Sequence, residues 1–251
     1  MPLVSVITPA YNAARFIGET MASVRAQSLE DWEMIIADDC SSDETCRIVS
    51  EATEQDPRII LVQQEKNSGP AATRNAALEK ASGRFVAFLD SDDLWLPEKL
   101  ARQTDFMLRE DCAVSYTWYR RLSEDGHTLG RLIEAPASLN YRQCLKNSAI
   151  ANLTSMIDTS KTGHVRINEI GYRAHDYSLW LSLLRQGHLA RCLQEDLARY
   201  RSVTGSISSR PGESIHSVWR IYRDIEGLSS AYALWCLLHY ACRAALKRRT
   251  F

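Results

Sequence analysis

The sequence predicts an α/β protein: a mostly parallel central sheet flanked by helices, with a helical C-terminal extension. Three observations predict it. Short apolar, β-branched runs alternate with helix-periodic segments through the first hundred residues. Each run ends in a polar, turn-forming stretch, which is where such sheets hold their ligands. From Ile215 onward the pattern is helical alone.

The elements follow in order. Leu3 to Thr8 is nearly all apolar and reads as a buried strand. Ala13 to Gln27 places Phe16, Ile17, Thr20, Met21 and Val24 at helical spacing. Met34 to Ala37 is a second strand. Asp43 to Ala52 is a helix whose early Asp suits the N-terminal dipole. Ile59 to Val62 is a third strand, Pro70 to Ala81 a helix closed by Gly83, and Phe85 to Leu89 a fourth strand. Pro97 opens another helix as a first-turn proline. Beyond Ala113 the signals thin. Val114 to Trp118 reads as a strand, Gly126 and Gly130 as turns, and Asn140 to Asn147 as a helix. Asp176 to Gln186 is amphipathic, with Leu179, Leu183 and Leu184 on one side. After Gly205 the chain is loop-like until the terminal helices. The expected organisation is one domain over 1–210, with halves 1–110 and 111–210, and an extension over 211–251.

Composition excludes several classes. The formal charge is −1, so the basic excess of a nucleic-acid binder is missing. The 45% hydrophobic and 24% charged residues are ordinary for a chain with a packed core, which excludes wholesale disorder. The seven cysteines are odd in number, scattered and without a CxxC pair, which suits reduced thiols in the cytoplasm. The opening apolar run is short and lacks a preceding basic region, so it reads as a strand and not as a secretory leader. The six histidines show no metal-ligand spacing, and neither GxGxxG nor GxxxxGK occurs.

Two acidic clusters follow strands. In Asp90-Ser91-Asp92-Asp93 three carboxylates crowd four positions, which costs energy unless a cation or donors offset the charge. A hard divalent ion shared with diphosphate oxygens would do so. A solvated loop leading to the Pro97 helix is the plainer reading. In Asp38-Asp39-Cys40-Ser41-Ser42-Asp43 a carboxylate can accept the imide N–H of uracil, while Ser42 or Asp43 suits a helix cap. Asp176 has its own plain reading, a first-turn acid favoured by the helix dipole.

Six segments together resemble family 2 glycosyltransferases with the GT-A fold, a Rossmann-like arrangement. They are VSVITPAYN at 4–12, IADDCSSD at 36–43, NSGPAATRN at 67–75, FLDSDD at 88–93, HDYSLW at 175–180, and Tyr200-Arg201 followed by Ser206 to Ser208. Their order and spacing match the family across about the first 210 residues. The stretch Ser155 to Gly163 is similar to transferases of teichuronic-acid and O-antigen type, which build cell-envelope polysaccharide.

The resemblance implies the roles. Thr8 and Pro9 would border the nucleotide and Tyr11 would stack on its base. Asp39, beside Asp38, would bind uracil. Asn67 and Arg74 lie in the segment that covers the nucleotide. Asp90 and Ser91 would approach the ribose, and Asp92 would bind Mg²⁺ or Mn²⁺ at the diphosphate. Arg201 and Ser206 to Ser208 would close over the diphosphate. Asp176 stands where the family has its catalytic base. The family's usual Glu before that Asp is His175 here, and its occasional histidine near the later loop is Val203, which removes one protein ligand.

The implied reaction is inverting, metal-dependent transfer from a UDP-sugar to a glycan, in particular a lipid-linked glycan. A scaffold that binds nucleotide-sugar without turnover is the alternative. The expected location is the cytoplasm, peripheral on the inner face of the bacterial inner membrane. In the extension, Leu228, Trp235, Leu238, Cys242 and Leu246 recur at helical spacing and Arg243, Lys247, Arg248 and Arg249 follow. Residues 228–251 therefore suit an anionic membrane surface, the catalytic domain, or a second subunit in a homodimer.

Overall fold

The computed structural model describes residues 1–169, 174–203 and 211–248. The strands are Val4–Ala10 (β1), Trp32–Asp38 (β2), Ile59–Gln63 (β3), Phe85–Phe88 (β4), Leu94–Trp95 (β5), Val114–Leu122 (β6), Leu129–Ile133 (β7), Ser138–Leu139 (β8), Met156–Asp158 (β9) and Ala190–Arg201 (β10). The helices are Ile17–Arg25 (α1), Thr45–Gln55 (α2), Pro70–Leu78 (α3), Lys99–Arg109 (α4), Tyr141–Cys144 (α5), Thr159–Thr162 (α6), His175–Arg185 (α7), Pro211–Arg220 (α8) and Ser230–Arg248 (α9). A single π-helical turn, Ile221–Ile225, continues α8.

All the strands among the described residues join one sheet in the order β3-β2-β1-β4-β9-β6-β10-β5, with β7 beside β6 and β8 beside β10. The long ladders, β1 with β2 and β6 with β10, are parallel. The antiparallel ladders are short. Because β9 runs against both β4 and β6, strands β1, β2, β3, β4, β6 and β10 all point the same way. Their carboxyl ends form one edge of the sheet, and that edge carries the site.

Alternation along the strands divides the core. Val4, Val6, Met34 and Ile36 pack with Ile17 and Met21 of α1, Val49 of α2 and Leu100 and Met107 of α4. Ile7, Ile35, Ala37, Val86 and Phe88 face the other way, onto Ala77 and Leu78 of α3 and the leucines of α7. Strands buried on both faces read as continuous apolar runs, which is why the sequence displays them so clearly. The extension joins the second layer. Val218, Ile221, Tyr222, Ala233 and Cys236 are fully buried there, and the Tyr222 hydroxyl donates to the Leu145 carbonyl.

The structure corrects some expectations. The helix expected to reach Ala81 ends at Leu78. Gly83 does not cap it: a Cβ there would lie 2.7 Å from the Ser5 backbone nitrogen, so close approach to β1 requires glycine. The expected Asn140–Asn147 helix is one turn, opened by an Asn140–Gln143 capping box. Strands β5, β7, β8, β9 and β10 had no clear sequence signal.

Candidate active site

Each candidate residue except Arg74 and Asp176 sits at or just beyond the carboxyl edge of a strand, or in the loop that leaves it. Thr8 and Pro9 lie near the end of β1, Asp38 ends β2, Asn67 follows β3, Asp90 to Asp92 follow β4, and Arg201 ends β10. Arg74 comes from α3, and Asp176 from the first turn of α7.

The nucleotide side is made by the β1 and β2 loops tied together. Asn12 and Cys40 hold left-handed backbone angles, φ 47° and 61°. Asn12 is held there by its N–H donating to Ser41 Oγ at 2.9 Å and by its side-chain oxygen accepting from Ser42 N at 2.9 Å. Beside this clasp Tyr11 stands with 54% of its surface exposed, an aromatic face open to a ligand. Thr8 is fully buried, and its hydroxyl has no hydrogen-bond partner among the described residues.

The two aspartates differ. Asp38 accepts from both the backbone N–H and the hydroxyl of Ser41, so it holds its own loop. Asp39 reaches across to the approach of α3. It accepts from Ser68 N at 2.7 Å, Gly69 N at 2.9 Å and Gln64 Nε2 at 3.2 Å. Asn67 donates to the Asp39 carbonyl at 3.2 Å. A carboxylate offers about four acceptor positions, so Asp39 keeps capacity for one further donor. Asp43, expected as a cap, accepts from Thr45 N at 3.0 Å and Ala14 N at 3.0 Å and so links the starts of α1 and α2.

The acidic loop is pinned from behind. Thr20 of α1 places its hydroxyl 3.0 Å from the carbonyls of both Ser91 and Asp93. Buried Asp93 accepts from Arg201 N at 2.8 Å, and its second oxygen has no partner among the described residues. Burial, then the charges of Asp92 and Asp90, hold the Asp93 carboxyl well above the usual carboxylate range. The Arg201 guanidinium donates to the Asp92 carbonyl at 2.8 Å, the Glu124 carbonyl at 3.1 Å and Glu19 Oε2 at 2.6 Å, and it rests on the Phe16 ring. Arg201 thus grips the loop from inside the protein. Asp92 points its carboxyl into a different setting. Burial and the Asp90 charge raise it to about 6, against the pull of Arg201 and Arg74.

Arg74 joins the acidic loop to α7. Its guanidinium is buried, donates to Asp90 Oδ1 and contacts His175 Nε2. Burial pulls its pKa down, and the charges of Asp90, Asp176 and Asp92 outweigh that pull. The three carboxylates expected to handle ribose, acceptor and metal therefore all act electrostatically on one buried cation, which is hydrogen-bonded to Asp90. Asn152 adds a donor to Asp90 Oδ1 at 3.2 Å.

Ser206 to Ser208 lie outside the described residues. Sequence reasoning missed Thr20, Asn152 and the anchoring parts of Asp93 and Glu19. Asp93 was in view as a member of the cluster. The other three carry no local signal, because each acts across more than 60 positions of sequence.

Residues 5–178 match the family described as Glycosyl transferase family 2. The chain belongs to glycosyl transferase family 2. It is 48% identical over 247 residues to the Bacillus subtilis (strain 168) protein named putative teichuronic acid biosynthesis glycosyltransferase TuaG, covering 98% of each chain. It is 35% identical over 223 residues to the Escherichia coli UDP-Glc:alpha-D-GlcNAc-diphosphoundecaprenol beta-1,3-glucosyltransferase WfgD, covering 88% of this chain and 86% of that one. Among solved structures, S. aureus TarS 1-349 in complex with UDP-GlcNAc superposes with a TM-score of 0.73 at 24% identity, over 97% of this chain and 72% of that one. The family 2 chain therefore has the GT-A fold and is a glycosyltransferase, as the motifs implied.

Proposed function

We propose that this family 2 enzyme moves a sugar from a UDP-sugar to a hydroxyl of a lipid-linked glycan, inverting the anomeric centre, during assembly of bacterial surface polysaccharide. The observation that carries the reading is that Asp90, Asp92 and Asp176 all act on the buried Arg74, with exposed Tyr11 following β1 and Asp39 following β2 at the same edge of the sheet. The names of the relatives support the pathway and the lipid-diphosphate acceptor.

Tyr11 stacks on the base, and the remaining lone pair of Asp39 accepts the uracil imide N–H. Pro9, Asn67 and Ser91 border the nucleotide, and Asp90, oriented by Arg74 and Asn152, receives the ribose hydroxyls. Asp176 takes the proton of the acceptor hydroxyl as its oxygen bonds to the anomeric carbon. The bond from that carbon to the diphosphate breaks, and its electron pair leaves with UDP. A base worth about 10²–10⁴ in rate is the ordinary contribution of such a group. Attack opposite the leaving diphosphate inverts the centre in a single displacement.

The acidic loop fits a divalent cation shared with substrate. Asp92 is held up at about 6 by burial and by Asp90, so a cation would relieve crowding that the protein leaves partly unmet. Among the described residues no set of three His, Cys, Asp or Glu side chains could hold a metal alone, so Asp92 would hold the ion together with oxygens from outside the protein, as is usual for a hard divalent cation at a diphosphate. Mg²⁺ or Mn²⁺ at Asp92 would supply Lewis-acid stabilisation of the leaving diphosphate.

No helix among the described residues is long and apolar enough to cross a membrane. We place the enzyme on the inner face of the cytoplasmic membrane as a peripheral protein. The test is donor turnover with a GlcNAc-diphospholipid acceptor by wild type and Asp176→Asn. The reading expects product from wild type, a loss of about a hundredfold or more in the variant, and UDP binding retained in both. Equal rates would remove Asp176 from the mechanism. UDP binding without turnover in wild type would favour a binding scaffold.

A further inference from the structure

We infer that the outer face of α9 is a membrane-docking surface for an anionic bilayer, on a helix packed against α7, which carries Asp176. The helix has two apolar faces. One is already used: Ala233 and Cys236 are fully buried against the body, and Leu237 and Tyr240 pack with them. The other is open. Leu234, Trp235 and Leu238 are 51%, 52% and 57% exposed, and they form one stripe with exposed Ala231 and Cys242. Intramolecular packing accounts for the first face; on the second, the Trp235 ring meets His239 of the same helix edge-on, ring centroids 4.3 Å apart, and the leucines stay largely exposed.

Charge decides between a bilayer and a second protein surface. The whole chain is −1, yet residues 227–251 contain Arg243, Lys247, Arg248 and Arg249 and no Asp or Glu. A tryptophan and leucines on one side of a helix whose only charged groups are cations at its end match the chemistry of an anionic lipid interface. Symmetric pairing of two such helices side by side would bring like charges together in a parallel arrangement and leave the cations without acids in an antiparallel one.

Position supplies the third argument. Tyr240 of α9 packs on Tyr177, ring centroids 5.5 Å apart, and Tyr177 directly follows Asp176. The Tyr177 hydroxyl also meets that of Tyr222 at 2.9 Å. The helix that would lie on the lipid is therefore fixed to the helix that carries the proposed base. A lipid-linked acceptor has its diphosphate at the bilayer surface, so this coupling would hold that surface and the helix bearing Asp176 in one fixed relation. In that purpose the inference rests on the proposed acceptor; the docking itself is tested separately.

The experiment is co-sedimentation of the full chain with vesicles of phosphatidylcholine alone or with added phosphatidylglycerol. UDP titration and light-scattering mass determination run on the same samples. Wild type should bind the anionic vesicles and lose that binding in high salt. The combined variant Leu234→Ser, Trp235→Ser, Leu238→Ser should bind about tenfold or more weakly, and so should Arg243→Gln with Lys247→Gln, Arg248→Gln and Arg249→Gln. UDP binding should match wild type in both, which separates docking from the donor reading. Wild type left in the supernatant, or the serine variant sedimenting like wild type, would overturn the inference. A wild-type dimer that the serine variant converts to monomer, without vesicle binding, would assign the face to a second copy instead.

Discussion

Replacing Arg201 with lysine separates two uses of one side chain. The family resemblance places Arg201 over the diphosphate, whereas the structure buries its guanidinium behind the acidic loop, with its side chain 1% exposed. Glu19 at the third contact is 57% exposed, so that ion pair contributes little. The bonds to the Asp92 and Glu124 carbonyls are the larger part, and a hydrogen bond to a charged group is worth about 1.5–3 kcal/mol. Lysine keeps the charge but cannot fork, so it keeps one such bond at most. The expected cost is about 2–3 kcal/mol in the ligand-free protein, a fall in Tm of about 5–10 °C for a chain of this size. Differential scanning calorimetry without nucleotide reads it directly. An Arg201→Lys variant that melts with wild type yet binds UDP weakly would refute the anchoring account and return Arg201 to the diphosphate.

Other outcomes follow from single side chains. Tyr11→Ala should weaken UDP binding about tenfold with Tm unchanged, because stacking on a base is worth about 1–3 kcal/mol and the residue is largely exposed; calorimetric titration and melting check both halves. Lys99 is fully buried, its ammonium lies 3.7 Å from the Trp95 ring centroid with no hydrogen-bond partner among the described residues, and burial pushes its pKa well below the ordinary 10.5. Lys99→Met should therefore raise stability at pH 7 by about 1–2 kcal/mol in urea denaturation. The unfolded chain binds the proton that the folded lysine resists, so wild-type stability should rise with pH toward 10.5, a slope the Met variant lacks. Asp92 has the opposite sign. Its folded pKa of about 6 lies above the ordinary 3.8, so its term favours the folded, ligand-free protein below that window and is lost as pH rises through about 6. Mn²⁺-promoted UDP binding needs the ionised carboxylate and should fall about tenfold per pH unit below 6, as titrations at stepped pH would show.

The sequence shows the parallel half of the fold because those strands are buried on both faces. Met34 to Ala37 and Phe85 to Leu89 announce themselves as apolar runs, and α1 to α4 fall between them with boundaries off by a few residues. Strand β10 is different. Ala190–Arg201 contains Arg191, Glu195, Asp196, Arg199 and Arg201, and its pairing with β6 shifts register twice around Asp196. Its identity as a strand comes from β6, far away in sequence, so no local period reveals it. Since β10 delivers Arg201 to the acidic loop, the side-chain direction of Arg201 was hidden with it.

The site divides along the same line. Polar residues that end apolar runs were legible: Asp38, Asp39, Asp90 and Asp92 all stand at strand ends. The support behind them was not. Thr20 sat inside a helical pattern as one more face residue, yet its single hydroxyl proton lies within reach of two carbonyls of the acidic loop, with the hydroxyl oxygen 3.0 Å from each. Arg74 was legible as part of a motif. Its electrostatic link to Asp90, Asp92 and Asp176 depends on α3 and α7 packing on the same face of the sheet.

The central claim is that this edge of the sheet binds UDP with a divalent cation at Asp92. Calorimetric titration of UDP, GDP and dTDP, each with and without Mn²⁺, on wild type and Asp92→Ala tests it most directly. The account predicts that UDP binds wild type best, that Mn²⁺ strengthens binding, and that Asp92→Ala abolishes the Mn²⁺ effect while leaving the fold intact. UDP binding that ignores both Mn²⁺ and Asp92, or no preference for UDP, would contradict it.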